Sequence, residues 1–354
     1  GADQFLLIAG NIQQIEDVTL LAESLFSAFK DSFCVDNHEI VLTVSIGIAI
    51  YPDDGDESSD LLKYADAAMH HAKQSGRNTV SYYTESMNRE VNRRLELEER
   101  MHGALERNEF AAHFQPKIDI KTGRIVGFEV LLRWNSPGLG SVSPVEFIPI
   151  AEHNGLIVPI GEYVLERALD AAKQLQQQFG VLFSFAVNLS PRQFTAPNLA
   201  SRIELLLAEA DVPPQIIELE ITEGVLMNGS ANIVNTLAAI KALGVGLAID
   251  DFGTGYSSLS YLRQYPFNTL KIDREFITDI ADNMADQQLV NATIAMSHGL
   301  GLKVVAEGVE TEEQYSLLGR SRCDLAQGYL FSKPLSFEDM CRLLIEHPHW
   351  LQGV

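Results

Sequence analysis

The sequence predicts an α/β protein: a closed barrel of strands and helices, with a smaller α/β unit ahead of it. Three observations carry this expectation. From about residue 110 onward, short apolar segments of strand character alternate with longer segments of helical period. Eight such strands follow one another before the end of the chain, the number that closes an α/β barrel. A doubly wound sheet is the competing architecture, but it would usually bring a Gly-rich phosphate loop early in the domain, and this stretch has none.

The elements follow in order. Residues 4–9 read as a short strand, and 14–32 as a helix, with Val18, Leu21, Leu25 and Phe29 at helical spacing. Residues 40–51 are strongly strand-like, and Pro52-Asp53-Asp54-Gly55-Asp56 is a turn. A helix over 59–74 stops at Gly76, and a third strand covers 78–83. Together these make a unit over 1–84. A charged helix over 85–108 comes next, with Met87, Val91, Leu95, Met101 and Leu105 near one face, so 85–109 reads as a linker. The third segment is 110–354. Its strands are expected at 112–118, 125–132, 182–188, 216–221, 246–249, 269–272, 303–306 and 325–330, and helices at 157–179, 199–210, 231–243 and 286–298.

Composition narrows the function. The chain of 354 residues is 46% hydrophobic and carries 48 acids against 26 Lys and Arg, a net charge of −22. That balance argues against general nucleic-acid binding, which wants a basic stripe. It leaves room for a small phosphate ligand, because bound cations reverse the local field. Cys34, Cys323 and Cys341 are odd in number and far apart, which points to a reducing, cytoplasmic setting without a disulfide framework. No run of about 18 apolar residues suggests a spanning helix. The first residues are not a signal peptide, and an upstream sensory or membrane module outside this chain stays open.

Acids stand at the ends of one expected strand after another: Glu129, Glu220, Asp250, Asp251 and Glu307. Carboxylates beside apolar strands are costly to bury unpaired, and a divalent metal site is the simplest reason for them. Glu218 and Glu220 share one strand face, while Ile217, Leu219 and Ile221 share the other. Glu218 has a second reading, pairing with a basic neighbour. Adjacent Asp250 and Asp251 at a strand-to-loop junction can straddle two ions, and oxygen ligands suit Mg²⁺ or Mn²⁺. Asn188 offers an uncharged oxygen or caps the turn at Ser190-Pro191. Lys271 would stabilise developing charge or pair with Asp273 at the surface. Arg133 can fork onto phosphate or make an interdomain ion pair. Gln115 and Gln327 face the site or bond within the fold.

Further marks sharpen this. They are Gln115-Pro116-Lys117, Glu129-Val130-Leu131-Leu132-Arg133-Trp134, Asn188-Leu189-Ser190-Pro191 and Glu218-Leu219-Glu220-Ile221-Thr222-Glu223. Later come Asp250-Asp251-Phe252-Gly253-Thr254-Gly255, Leu270-Lys271-Ile272-Asp273, Ala306-Glu307-Gly308-Val309-Glu310 and Gln327-Gly328-Tyr329-Leu330-Phe331. In this order they resemble the EAL-domain cyclic di-GMP phosphodiesterases. The resemblance implies a TIM-like (β/α)8 barrel with one antiparallel strand and two Mg²⁺ or Mn²⁺ ions per active site. It implies Glu129, Asn188, Glu220 and Asp250 as metal ligands, Asp251 bridging toward a second ion, and Glu307 positioning metal and water. Lys271 would contact the attacking water. Arg133, Gln115 and Gln327 would meet substrate, and Glu223 would restrain the loop after the fifth strand, whose Tyr256-Ser257-Ser258 would connect catalysis with the state of a homodimer. The name-giving Glu-Ala-Leu reads Glu129-Val130-Leu131 here.

The first unit is similar to the C-terminal half of a diguanylate cyclase (GGDEF) domain, through Gly1-Ala2-Asp3-Gln4-Phe5, Val44-Ser45-Ile46-Gly47-Ile48-Ala49, Tyr51-Pro52-Asp53-Asp54-Gly55 and Ala72-Lys73-Gln74-Ser75-Gly76-Arg77-Asn78. Ala2 and Gln4 replace the second Gly and the Glu of that signature, so a regulatory or dimerisation role is expected in place of cyclase activity. The expected function of the whole chain is metal-dependent hydrolysis of cyclic di-GMP to linear 5′-pGpG. The contrasting expectation is a receptor that binds the same ligand without hydrolysis and regulates a protein partner.

Overall fold

A computed structural model describes residues 4–10, 12, 15–29, 33–35, 38–40, 42–196, 198–226, 231–253, 262 and 264–347. It divides into two units, Gly1–Glu99 and Arg100–Val354.

In the first unit, strands β1 (Phe33–Val35) and β2 (His38–Ile40) pair antiparallel, and β3 (Ile46–Ile48) pairs parallel with β4 (Val80–Tyr82). A parallel pair needs a crossover, and the helix Ser58–Gln74 supplies it, burying its small side chains Ala67, Ala68 and Ala72. The approach is close: a Cβ at Gly47 would collide with the backbone of Ala65 and Met69. Tyr64 and Tyr83 stack with ring centroids 4.2 Å apart.

Three expectations for this unit are corrected. Residues 4–9 form no strand, because no described segment runs beside them to complete a ladder, and Phe5 and Ile8 lie exposed. The single strand expected over 40–51 is broken: His38–Ile40 and Ile46–Ile48 pair with different partners. The charged helix Glu85–Met101 ends earlier than expected, since 102–108 run as turns, with Gly103 and Asn108 at φ 73° and 56°.

The second unit is the closed barrel. Its strands are β5 (Phe110–Asp119), β6 (Ile125–Ser136), β8 (Ser184–Asn188), β9 (Ile217–Thr222), β10 (Gly246–Phe252), β11 (Thr269–Ile272), β12 (Lys303–Ala306) and β13 (Leu325–Ala326), while β7 (Gly140–Val142) only extends β6. They are ordered β5-β13-β12-β11-β10-β9-β8-β6, and pairing of β5 with β6 closes the ring. β5 runs antiparallel to both its neighbours, and every other barrel pair is parallel.

Alternation along each strand sends apolar side chains outward to the helices and polar ones inward. Phe185, Val187, Leu219, Ile221, Leu247, Ile249, Leu270 and Val304 join the helix-facing core. The helix Ile157–Phe179 covers part of it with Val164, Leu165, Ala168, Leu169, Ala172 and Leu175, and ends where Gly180 takes φ 67°. β13 is shorter than expected, since the chain turns away at 328–331 to bond with Val309. Because parallel strands share one direction, all their C-terminal ends lie on one rim, where barrels of this kind carry their chemistry.

Candidate active site

Six side chains from six strands converge near that rim and inside it. Glu129 (β6), Asn188 (the last residue of β8), Glu220 (β9), Asp250 (β10) and Lys271 (β11) lie within the strands, and Glu307 directly follows β12. Lys271, only 1% exposed, is the hub. Its Nζ lies 2.6 Å from Glu220 Oε2, 2.6 Å from Glu307 Oε1, 3.1 Å from Asp250 Oδ1 and 3.6 Å from Glu129 Oε2. The surface pairing with Asp273 does not form; Asp273 instead caps the helix Arg274–Thr278.

Asn188 is not a turn cap. Its Nδ2 donates to Glu129 Oε1 at 2.7 Å, while Ser190 caps the following turn of helix. The other oxygen of Glu129 accepts from Gln327 Nε2 at 2.6 Å, and that nitrogen also donates to Gln115 Oε1 at 3.0 Å. Gln115 in turn donates to the Ser332 carbonyl. The two amides therefore form a chain that fixes Glu129, and Gln327 Oε1 is buried without a partner. Arg133 sits on the Glu129 face of β6, four residues nearer the rim, half-buried and donating to the Leu132 carbonyl.

Asp250 and Asp251 reach one side by a device the sequence reading lacked. Ile249 pairs with Leu270 and Phe252 with Ile272, so both aspartates oppose Lys271 alone. This is a β-bulge within β10, and bulges re-aim side chains next to active sites. Asp251 takes φ 54°, a left-handed conformation that Asp tolerates. Carboxylate oxygens of Asp250, Asp251 and Glu307 all lie within 4.8 Å of one another. Glu307 is followed by Gly308 at φ 70°, where a Cβ would strike the Arg274 side chain. Glu223 opens the short helix after β9, and its Oε1 accepts from Gly253 N at 3.4 Å, which ties down the start of the loop after β10. Residues 254–260, including Tyr256-Ser257-Ser258, lie outside the described residues.

The electrostatics show an excess of acid. Burial pushes the Glu307 carboxyl up to about 8; Lys271 draws it down, and Asp250, Glu129 and Glu220 add to the rise. Burial and the neighbouring Asp250 and Asp273 push Asp251 up to about 6. Glu129 is raised mainly by burial, and Lys271 is held well above the usual lysine value because its four acids overcome its own burial. Glu220 goes the other way. Burial would raise it, but Lys117 and Lys271 draw it down to about 2. Carboxylates pushed upward while aimed at one another match an oxygen donor set for a hard divalent cation.

Lys117 is the residue the sequence reading missed. It is 2% exposed and donates to Glu220 Oε1 at 2.8 Å, with Glu218 Oε2 3.8 Å away. Glu218 thus follows its structural reading, with Thr269 Oγ1 as a further donor. The available signal was alternation in β5, which puts Lys117 on the face of Gln115, opposite the strand of Glu129. Val130 lies on the other face from Glu129, in the helix-facing core. Its extra methyl groups stay out of the site.

A closed α/β barrel with one reversed strand, whose C-terminal rim gathers carboxylates, an asparagine and a lysine, defines a class of TIM-like barrels with an oxygen-rich site suited to divalent cations. Within that class the chain belongs to the EAL domain family, whose model matches residues 98–334; the diguanylate cyclase GGDEF domain model matches residues 1–79. The chain is 40% identical over 340 residues to the bifunctional diguanylate cyclase/cyclic di-GMP phosphodiesterase MucR of Pseudomonas aeruginosa, covering 96% of this chain and 50% of MucR. It is 37% identical over 333 residues to the cyclic di-GMP phosphodiesterase NbdA of the same organism, covering 94% of this chain and 42% of NbdA. It spans half or less of these relatives' length. A solved PaMucR phosphodiesterase in complex with c-di-GMP superposes with a TM-score of 0.67 at 40% identity, covering 69% of this chain and 99% of that one. No helix among the described residues is long and apolar enough to cross a membrane.

Proposed function

We propose that this chain hydrolyses cyclic di-GMP to linear 5′-pGpG at the C-terminal rim of its barrel, with two divalent ions, Mg²⁺ or Mn²⁺. The observation that carries the reading is the convergence of Glu129, Glu220, Asp250, Asp251 and Glu307 around Lys271, more acid than Lys271 and Lys117 offset. The names of the relatives support the substrate.

Glu129, Asn188, Glu220, Asp250, Asp251 and Glu307 would hold the ions. When bound, such ions supply Lewis acidity and lower the pKa of water at the site. The chain's own groups do the rest. Lys271 places an ammonium where negative charge develops. Arg133 lies above Glu129 toward the rim, with a planar fork suited to a substrate phosphate. Gln115 and Gln327 hold Glu129 in orientation, and the buried Gln327 Oε1 is an acceptor for a substrate or water donor. Glu223 restrains the loop after β10. A water molecule attacking one phosphorus in line would form the new P–O bond as the P–O3′ bond breaks, its proton passing through solvent to the departing ribose 3′-oxygen, and one of the two ring phosphodiesters opens.

Residues 110–354 carry this activity in the proposal. The unit over 1–84 and the linker over 85–109 serve regulation, in a cytoplasmic homodimer. The test is production of 5′-pGpG from cyclic di-GMP with Mg²⁺ or Mn²⁺, before and after chelation, in the wild type and in Glu129→Ala. Loss of at least about 100-fold in rate is expected for the variant. Full activity in Glu129→Ala, or tight binding without turnover by the metal-loaded wild type, contradicts the proposal; the second outcome favours the receptor.

A further inference from the structure

We propose that Lys117 is a positioning residue for the divalent-cation site, a role that rests on the metal-dependent reading above. Buried lysines are costly unless paired, and Lys117 enters the barrel interior from the one strand that runs against all the others. Its register partner is Gly127, which contributes no side chain there. From this place it reaches Glu220 Oε1 at 2.8 Å, while Lys271 holds Glu220 Oε2 at 2.6 Å. Each oxygen of the most buried acid is thus fixed by a separate ammonium.

The two lysines differ in what else they touch. Lys271 also meets Asp250, Glu307 and Glu129, so it belongs to the ligand cluster itself. Among the described residues, the further acid that Lys117 meets is Glu218, on the same face of β9 and one step further from the rim. Glu220 Oε2 faces Lys271 and so lies on the side of the ligand cluster, and a cation that displaced Lys271 from it would leave the hold of Lys117 on Glu220 Oε1 intact. Lys117 locks the rotamer of Glu220 and leaves it one oxygen to give. This is the orienting role that partners of metal ligands play elsewhere.

The sign of the effect separates positioning from simple charge. An ammonium close to a cation site repels the cation, so a lysine that acts by charge alone weakens binding, and its removal tightens it. A lysine that positions the ligand does the reverse. A merely structural ion-pair partner lowers the melting temperature and the number of competent sites without moving the Kd.

The experiment titrates Mn²⁺ into the full chain by calorimetry, for the wild type, Lys117→Met and the double variant Lys117→Met/Glu218→Gln, which also removes the charge of the acid left without its ammonium. A Mn²⁺ Kd raised about 10-fold or more in the folded variants, with activity recovering at high Mn²⁺, is expected. A rise of less than roughly threefold, or tighter binding, overturns the positioning role. Failure of both variants to fold assigns Lys117 to structure and overturns it equally. Absence of Mn²⁺ binding by the wild type overturns the metal reading itself, which keeps the two failures distinct.

Discussion

Lys271 Nζ stands among four carboxylates, and the physics of that residue decides what the site does without a cation. Breaking a buried ion pair by removing one partner costs more than the pair itself is worth, because the remaining charge is left desolvated. Lys271→Met leaves Glu129, Glu220, Asp250 and Glu307 facing one another. We expect the metal-free variant to lose about 3–5 kcal/mol of stability by denaturant unfolding, and Mn²⁺ to restore part of it. A loss under about 1 kcal/mol would show that these acids do not depend on the ammonium. The same scale shows what the sequence could and could not reveal. Glu129, Glu220, Asp250 and Glu307 were legible because charge in an apolar strand needs a reason. Lys117 was not, because lysines are common at strand ends, and only its inward register identifies it as buried.

At the scale of the element, the bulge in β10 brings Asp250 and Asp251 to one side. No composition signal marks it, since adjacent aspartates read equally as a strand end or a turn. The bulge requires φ 54° at Asp251, which a β-branched residue resists. Asp251→Asn is therefore expected to unfold within about 0.5 kcal/mol of the wild type, and Asp251→Val to lose about 1–2 kcal/mol. Both should lose hydrolysis. Equal stability of the two variants would mean that the left-handed conformation is not held in solution. Helices were easier to read than this bulge. The helical period of Ile157–Phe179 and the Gly180 stop give its limits directly, because every core position recurs on one face. Residues 40–51 misled for the opposite reason: β-branched apolar residues favour strands, but the pairing that makes a strand depends on neighbours the segment does not specify.

At the scale of the whole molecule, barrel closure turns scattered residues into a site. Glu129 and Glu307 are far apart in sequence, and only the ring from β5 to β6 by way of β13 puts both within reach of Lys271. The barrel itself was legible from the number and alternation of its strands. That one strand runs in reverse followed from the family resemblance, but that it is β5 is read from its pairings, because a segment's direction in a sheet leaves no mark in its own residues. The most direct measurement is anomalous diffraction at the manganese edge from crystals of the protein soaked in Mn²⁺. Manganese peaks bonded to Glu129, Glu220 and Asp250, with Asp251 or Glu307 completing the cluster, are the predicted result. Soaked crystals with no manganese at these side chains, Lys271 still bound to all four acids, would contradict it.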